Sequence, residues 1–369
     1  EQSDIVDVAS HEVEGYDAMP AGAVTRPEKD TDVTLTATIT WKGLSTTKDF
    51  TFTVKAAPKQ IEDAEYTDYF FAYFAGEGYS DGEQIYFSVS RDGLHWTDLN
   101  DGKPVLYSHI GECGVRDPFP VKNPLNGRYY LIATDLRIEK GEGWQAAQER
   151  GSRDIIIWES EDLVHWEKER AHTVGIREAG CVWAPEAVFD EEEQAFLVFF
   201  ASKVKCDGEE TAKHRIYAAY TKDFVTFSDT FLYMERERDV IDTTILRSNG
   251  KYYRISKDET DSRLILEESD SLRGDFKRIS CPVFEKLKGV EGPEGYLLPE
   301  GRSWCVIADQ FAEGKGYLPM ITEDLSSGDF TILEKEKYDL GRTKKRHGGV
   351  LELSDAEYER LIKAEMEGE

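Results

Sequence analysis

From residue 66 onward the chain alternates short, strongly β-forming apolar runs with polar turns, and the turns repeat. Ser90-Arg-Asp92-Gly-Leu-His-Trp96 follows the run Ile85-Tyr86-Phe87, and Ser160-Glu-Asp162-Leu-Val-His-Trp166 follows Ile155-Ile156-Ile157-Trp158. Further copies are Thr221-Lys-Asp223-Phe-Val-Thr-Phe227, Ser269-Asp-Ser271-Leu running to Phe276, and Thr322-Glu-Asp324-Leu running to Phe330. Their third positions stand at 92, 162, 223, 271 and 324, which marks five units of about 50 to 70 residues. A Ser-x-Asp turn hydrogen-bonds its own backbone, and the aromatic that follows packs beneath the sheet. A fixed repeat of strands and turns predicts an all-β, five-bladed β-propeller with four strands to a blade. A β-sandwich with accidental turn similarity is the weaker alternative.

Tyr69-Phe-Phe-Ala-Tyr-Phe74 is a nearly continuous apolar run, as expected of a strand buried on both faces. Asn126-Gly127 and Asn249-Gly250 each join two such runs and predict tight hairpins. Arg346-His-Gly-Gly-Val-Leu-Glu-Leu353 reads as a last strand that pairs into the Tyr66–Trp96 unit and closes the ring, leaving no bare sheet edge. Ser354-Asp-Ala-Glu357 is a capping box, and Tyr358, Leu361 and Ile362 form one apolar face of a short C-terminal helix over 354–369.

The first 58 residues differ. Val33 to Trp41 and Asp49 to Lys55 alternate in strict period two, with Lys42-Gly43 opening the loop between them, which predicts a separate hairpin. Ala56-Ala-Pro-Lys-Gln60 reads as a linker to the domain at 62–353.

Composition narrows the function. Of 369 residues 73 are Asp or Glu and 45 Lys or Arg, a net charge of −28 that argues against nucleic acid or an anionic membrane as partner. No apolar run approaches the roughly 18 residues needed to span a bilayer. Cys113, Cys181, Cys206, Cys281 and Cys305 lack metal-ligand spacing, and an odd number cannot all pair, so mostly buried thiols are expected.

Four units open on a polar phrase ahead of a hairpin: Arg116-Asp117-Pro, Trp183-Ala-Pro-Glu186, Ile241-Asp242-Thr and Glu291-Gly-Pro. In a propeller the innermost strand of each blade lines the central channel, so acids placed at blade openings converge on one end of it. Any one of Asp117, Asp242 and Glu291 could be a turn residue; three in equivalent positions of successive repeats point to chemistry. Glycoside hydrolysis needs one carboxyl protonated to meet the leaving oxygen and one carboxylate to activate water, with environments that separate their pKa values. Trp183 is placed to stack on a sugar and Trp144 to rim the pocket. Trp96 and Trp166 are structural. Arg116, Arg215 and His214 are weaker candidates for contact with substrate.

This ordered set of phrases, with Arg346-His347-Gly, resembles glycoside hydrolase family 43 over roughly residues 62–353. The resemblance implies a five-bladed propeller and an inverting mechanism, with Asp117 as base, Glu291 as general acid, and Asp242 raising the pKa of the acid and orienting it. It further implies that His347 lies in the channel, where it holds a calcium or sodium ion through water with no cofactor required; Arg116, Trp183, Glu186 and His347 are the expected contacts with substrate. Thr243 departs from the proline common in the family at that place. Family 32, a retaining relative, lacks support: there is no Asn-Asp-Pro, and the sole Glu-Cys pair, Glu112-Cys113, precedes Arg116. A non-catalytic sugar-binding propeller and a phosphorylase on the same fold also compete with a hydrolase. Gly22-Ala-Val-Thr-Arg-Pro27 with Leu35-Thr-Ala-Thr-Ile resembles the C-terminal half of an atypical bacterial immunoglobulin-like module. The expectation is a monomeric, secreted or cell-surface enzyme, with a cytoplasmic one as the alternative, that removes terminal arabinofuranosyl, xylosyl or galactofuranosyl groups from plant-type glycans.

Overall fold

The computed structural model describes residues 5–7, 23–24, 27, 29–54, 66–299 and 303–368. Five four-stranded antiparallel sheets stand in sequence around a central channel. Blade 1 runs outward from Val115–Lys122 through Tyr129–Asp135 and Asp154–Ser160 to Arg170–Thr173. The inner strands of blades 2, 3 and 4 are Trp183–Asp190, Val240–Ser248 and Glu291–Leu297. Blade 5 takes its inner strand, Gly348–Ser354, from the C-terminus and its outer three, beginning with Tyr66–Tyr73, from the start of the domain.

The repeated phrase is the turn between the third and fourth strands of a blade. Ser90 Oγ accepts the Gly93 N–H at 2.9 Å, and Asp92 Oδ1 accepts those of Leu94 and His95 at 2.8 and 2.7 Å. Ser160 with Asp162, and Thr221 with Asp223, repeat the same bonds. These side chains satisfy backbone donors that a tight turn would otherwise leave unpaired. Trp96 then packs against Tyr69, Phe71 and Tyr296, between blade 5 and blade 4.

Ring closure follows the predicted pairing, with Gly348 opposite Tyr73 and Val350 opposite Phe71. The C-terminal helix, Asp355–Glu367, fastens the seam. Ser354 and Glu357 form the capping box, and Glu357 also accepts from Lys122 Nζ at 2.6 Å and from Tyr129 of blade 1. Leu361, Tyr358 and Ile362 join the core shared by blades 5 and 1. Deleting the chain after Lys345 would expose the apolar edge of Tyr66–Tyr73. The truncated protein is expected to aggregate or to lose its cooperative melt; an unchanged melting curve would count against closure as a source of stability.

At the N-terminus Thr31–Trp41 pairs with Leu44–Val54 around a turn of Lys42 and Gly43 alone. The loop is shorter than the sequence predicts because residues 45–48 continue the ladder: Thr40 and Ser45 bond across it at 2.8 Å, as do Thr34 and Thr51. Residues 8–22 and the expected linker at 56–60 lie outside the described residues. All five cysteines are free, three of them buried and Cys113 and Cys206 exposed.

Candidate active site

A break in strand pairing shapes the channel end of four inner strands. The register slips between Arg116 and Phe119, Trp183 and Glu186, Ile241 and Thr243, and Glu291 and Glu294. At each slip one residue has a positive φ: Asp117 at 50°, Ala184 at 48°, Asp242 at 44° and Gly292 at 52°. Proline follows three of the four and has no N–H for the ladder. A bulge of this kind re-aims side chains, turning two successive residues toward the channel. Asp117 and Asp242 are therefore equivalent in the fold, whereas Glu291 stands one place earlier, level with Arg116, Trp183 and Ile241. The position equivalent to the two aspartates in blade 4 is Gly292, where a Cβ would fall 2.5 Å from the His347 ring.

These strands surround a cavity of about 350 Å³. Of the residues predicted from sequence, Asp117, Asp242, Glu291, Arg116, Trp183, His347 and Trp144 line it. Glu186 does not; it is buried in the hub, where its Oε2 has no hydrogen-bond partner, so the expected contact with substrate is corrected. Arg215 is spent on Glu209, Glu235 and the Val204 carbonyl. His214 lies behind Trp183, stacked on it at 5.5 Å and held by Asp239 at 2.9 Å. Trp144 opens a short helix, Trp144–Glu149, with its ring centre 5.9 Å from that of Trp183 in an edge-to-face pair and Arg116 set 5.0 Å from its ring centre. Arg346, known from sequence only as part of the Arg346-His347-Gly phrase, also lines the cavity, as do Lys257, Glu259, Glu77 and Phe311, which were not singled out from sequence.

The acids have unlike environments. Burial alone would raise the pKa of Asp117, but His347 Nδ1 at 3.4 Å, Arg116, and the Thr134 hydroxyl donating at 2.8 Å hold it below the usual range. Asp242 is pushed up to about 6 by burial, which His347 and Lys257 only partly offset. Its Oδ2 accepts the Gly292 N–H at 3.0 Å and so steadies the backbone beside Glu291. Glu291 would also be raised by burial, but Lys257 and Arg346, each 2.9 Å away, more than reverse this. The expectation that Asp242 keeps Glu291 protonated is thus corrected: two cations hold Glu291 as a carboxylate.

His347 keeps its proton to about 9; burial opposes this, but Asp242 and Asp117 outweigh it. Among the described residues no group of three or more His, Cys, Asp or Glu side chains is arranged to hold a metal ion. The described side chains thus offer no direct ligand set for an ion, which leaves the ion expected through water at His347 untouched, and no step below is routed through one.

Deeper in the hub, burial pushes Glu294 up to about 8 and raises Glu186 well above its ordinary value, each carboxyl having an unpartnered Oε2. Both bind a proton more tightly folded than unfolded. Their stabilisation is complete below the ordinary 4.5 and, for Glu294, is lost as pH rises through about 8. His347 acts in the same sense between 6.5 and about 9. Asp117 and Glu291, both lowered, lose their contribution only under acid conditions. The unfolding free energy is expected to fall between about pH 5 and pH 8, by up to about 1.4 kcal/mol per pH unit for each group titrating, with the melting temperature falling alongside it. Glu294→Gln should flatten that slope; an equally steep slope in a folded variant would rule out Glu294 as its source.

The fold and cavity define a five-bladed propeller with an acid-lined channel mouth. The chain belongs to the glycoside hydrolase family 43-related group, since the family described as "Probable glycosyl hydrolase domain" matches residues 64–359. An "Atrophied bacterial Ig domain" matches residues 17–57. An α-L-arabinofuranosidase of Bifidobacterium longum subsp. longum is 31% identical over 314 residues, 76% of this chain, and the match spans only 28% of that relative's length. Among solved structures, an exo-β-1,3-galactanase of Phanerochaete chrysosporium superposes with a TM-score of 0.50 at 11% identity, covering 89% of this chain and 70% of its own. A family 43 protein of Bacillus licheniformis does so at 0.49 and 16%, covering 78% and 56%. At 11% identity the likeness to the galactanase speaks for fold alone. No helix among the described residues is long and apolar enough to cross a membrane.

Proposed function

We propose that this chain is an inverting, exo-acting glycoside hydrolase that releases terminal α-L-arabinofuranosyl groups from glycan side chains. One observation carries the reading: Asp117 and Glu291 line a single cavity of about 350 Å³, small for a ligand site and suited to one terminal sugar rather than a continuing chain. The similarity to an arabinofuranosidase supports the choice of sugar. The atrophied immunoglobulin-like segment is consistent with action outside the cell.

In this mechanism the ionised Asp117, fixed by Thr134 and His347, takes a proton from a water, and the water oxygen bonds to the anomeric carbon from the opposite face. The glycosidic C–O bond breaks as Glu291 gives a proton to the leaving oxygen. Asp242 positions Glu291 through the Gly292 backbone. Trp183, backed by His214, offers an aromatic face to the sugar, and Arg116 is available to its hydroxyls.

Turnover of aryl α-L-arabinofuranoside, β-D-xyloside and β-D-galactofuranoside, with proton NMR of the first product, tests this directly. The arabinofuranoside is expected to be hydrolysed fastest, with inverted configuration. Preference for another sugar would overturn the substrate choice. Retention, or a covalent adduct on Asp117, would overturn the mechanism, and no turnover at all would favour a sugar-binding propeller.

A further inference from the structure

Lys257, on the second strand of blade 3 (Lys251–Asp258), is opposite Ile241 in the ladder and reaches two carboxylates. Its Nζ lies 2.9 Å from Glu291 Oε2 and 2.6 Å from Glu259 Oε2, and 4.4 Å from the centre of the Phe311 ring. The side chain is buried. Its charge must therefore be balanced by these neighbours.

The other oxygen of Glu291 accepts from Arg346 at 2.9 Å. With a cation on each oxygen, Glu291 is held as a charged carboxylate that cannot protonate a leaving group. One cation must yield. Arg346 is anchored elsewhere, 2.5 Å from the buried Asp309 and 3.7 Å from Glu77. Lys257 already touches an alternative partner in Glu259, which is partly exposed. The remaining charges that face Glu291 are Asp242 from the inner strand of blade 3, Asp309 from its own blade, and His347 with Asp117 across the cavity.

We propose that Lys257 is a positioning residue that alternates between Glu291 and Glu259. Paired with Glu291 it keeps that carboxylate charged; drawn over to Glu259 as sugar enters, it frees one Glu291 oxygen for the proton the leaving group needs. The inference rests on Glu291 being the general acid. Protons balance: Glu291 takes one from solvent as sugar binds and passes it to the leaving oxygen, and the proton Asp117 removes from water returns to solvent with product release. Binding of sugar should therefore take up a proton, and kcat/KM should fall as pH rises.

The test uses the full chain and two forms of the sugar that turns over, an oligosaccharide and a dinitrophenyl glycoside. In Lys257→Met the alkaline limb of kcat/KM for the oligosaccharide is expected to move up by about one pH unit or more, since an opposite charge within bonding distance depresses a carboxyl by roughly that much. Lys257→Arg, which keeps the charge, should leave the limb in place. Glu259→Gln, which removes the alternative partner, should lower kcat on the oligosaccharide by about tenfold or more with little change in KM, while sparing the dinitrophenyl glycoside. An unmoved limb in folded Lys257→Met overturns the proposal. If that variant does not fold, unchanged kcat in Glu259→Gln overturns it. Glu291→Gln separates the two ideas: equal loss on both substrates removes the general-acid role itself, whereas selective loss with an unmoved limb removes only the role of Lys257.

Discussion

Asp117→Asn is expected to lower kcat by about 10³-fold on every glycoside the protein cleaves, whatever the leaving group. An amide cannot accept the proton of the attacking water, and that step is needed for good and poor leaving groups alike. The substitution keeps the shape of the side chain, and Thr134 can still donate to its oxygen. What changes is its partnership with His347, whose Nδ1 is 3.4 Å from Asp117 Oδ1 and 3.8 Å from Asp242 Oδ2. With one of two carboxylates gone, His347 should titrate lower than about 9. The loss of stability that His347 causes with rising pH still starts near 6.5 but should end at lower pH and be smaller in total. Steady-state rates on aryl and natural substrates, with melting curves across pH, check both parts. Residual activity within a few-fold of the parent would exclude Asp117 as the base.

Glu291→Gln should discriminate between substrates where Asp117→Asn does not. Natural oligosaccharides leave as alkoxides unless protonated, so their turnover should drop by about 10³-fold, whereas an aryl glycoside with an acidic phenol should lose about tenfold or less. The variant also removes a negative charge from between Lys257 and Arg346. Two buried cations then rely on Glu259, Asp309 and Glu77, so some loss of stability should accompany the loss of rate. Equal losses on both substrate types would assign Glu291 to ionic support of the cavity rather than to proton transfer.

Much of the fold was legible because its signals are local. The Ser/Thr-x-Asp turn bonds its own backbone wherever it occurs, so four copies and a fifth with Ser271 in place of Asp announced five blades. The capping box at Ser354 and the apolar face of Tyr358, Leu361 and Ile362 are equally local. The Asn-Gly turns and the two-sided apolar run at Tyr69–Phe74 depend only on neighbours in sequence. Even the convergence of Asp117, Asp242 and Glu291 on one cavity follows from placing blade openings around a ring.

The charge states were not legible, because they depend on strands brought side by side. Lys257 reads as an unremarked residue in Lys251–Asp258 until the ladder sets it opposite Ile241, within reach of Glu291 on the next blade. Glu186 shares its motif with Trp183, yet the bulge between them turns the tryptophan to the cavity and the glutamate into the hub. The same slip places Glu291 one residue out of step with the two aspartates. Sequence alone determined the repeat, the ring and the gathering of Asp117, Asp242 and Glu291 at its mouth, though not of Glu77 and Glu259, since each follows from turn chemistry and strand periodicity. Tertiary structure alone decided which carboxylates are charged, because that depends on burial and on cations contributed by other blades.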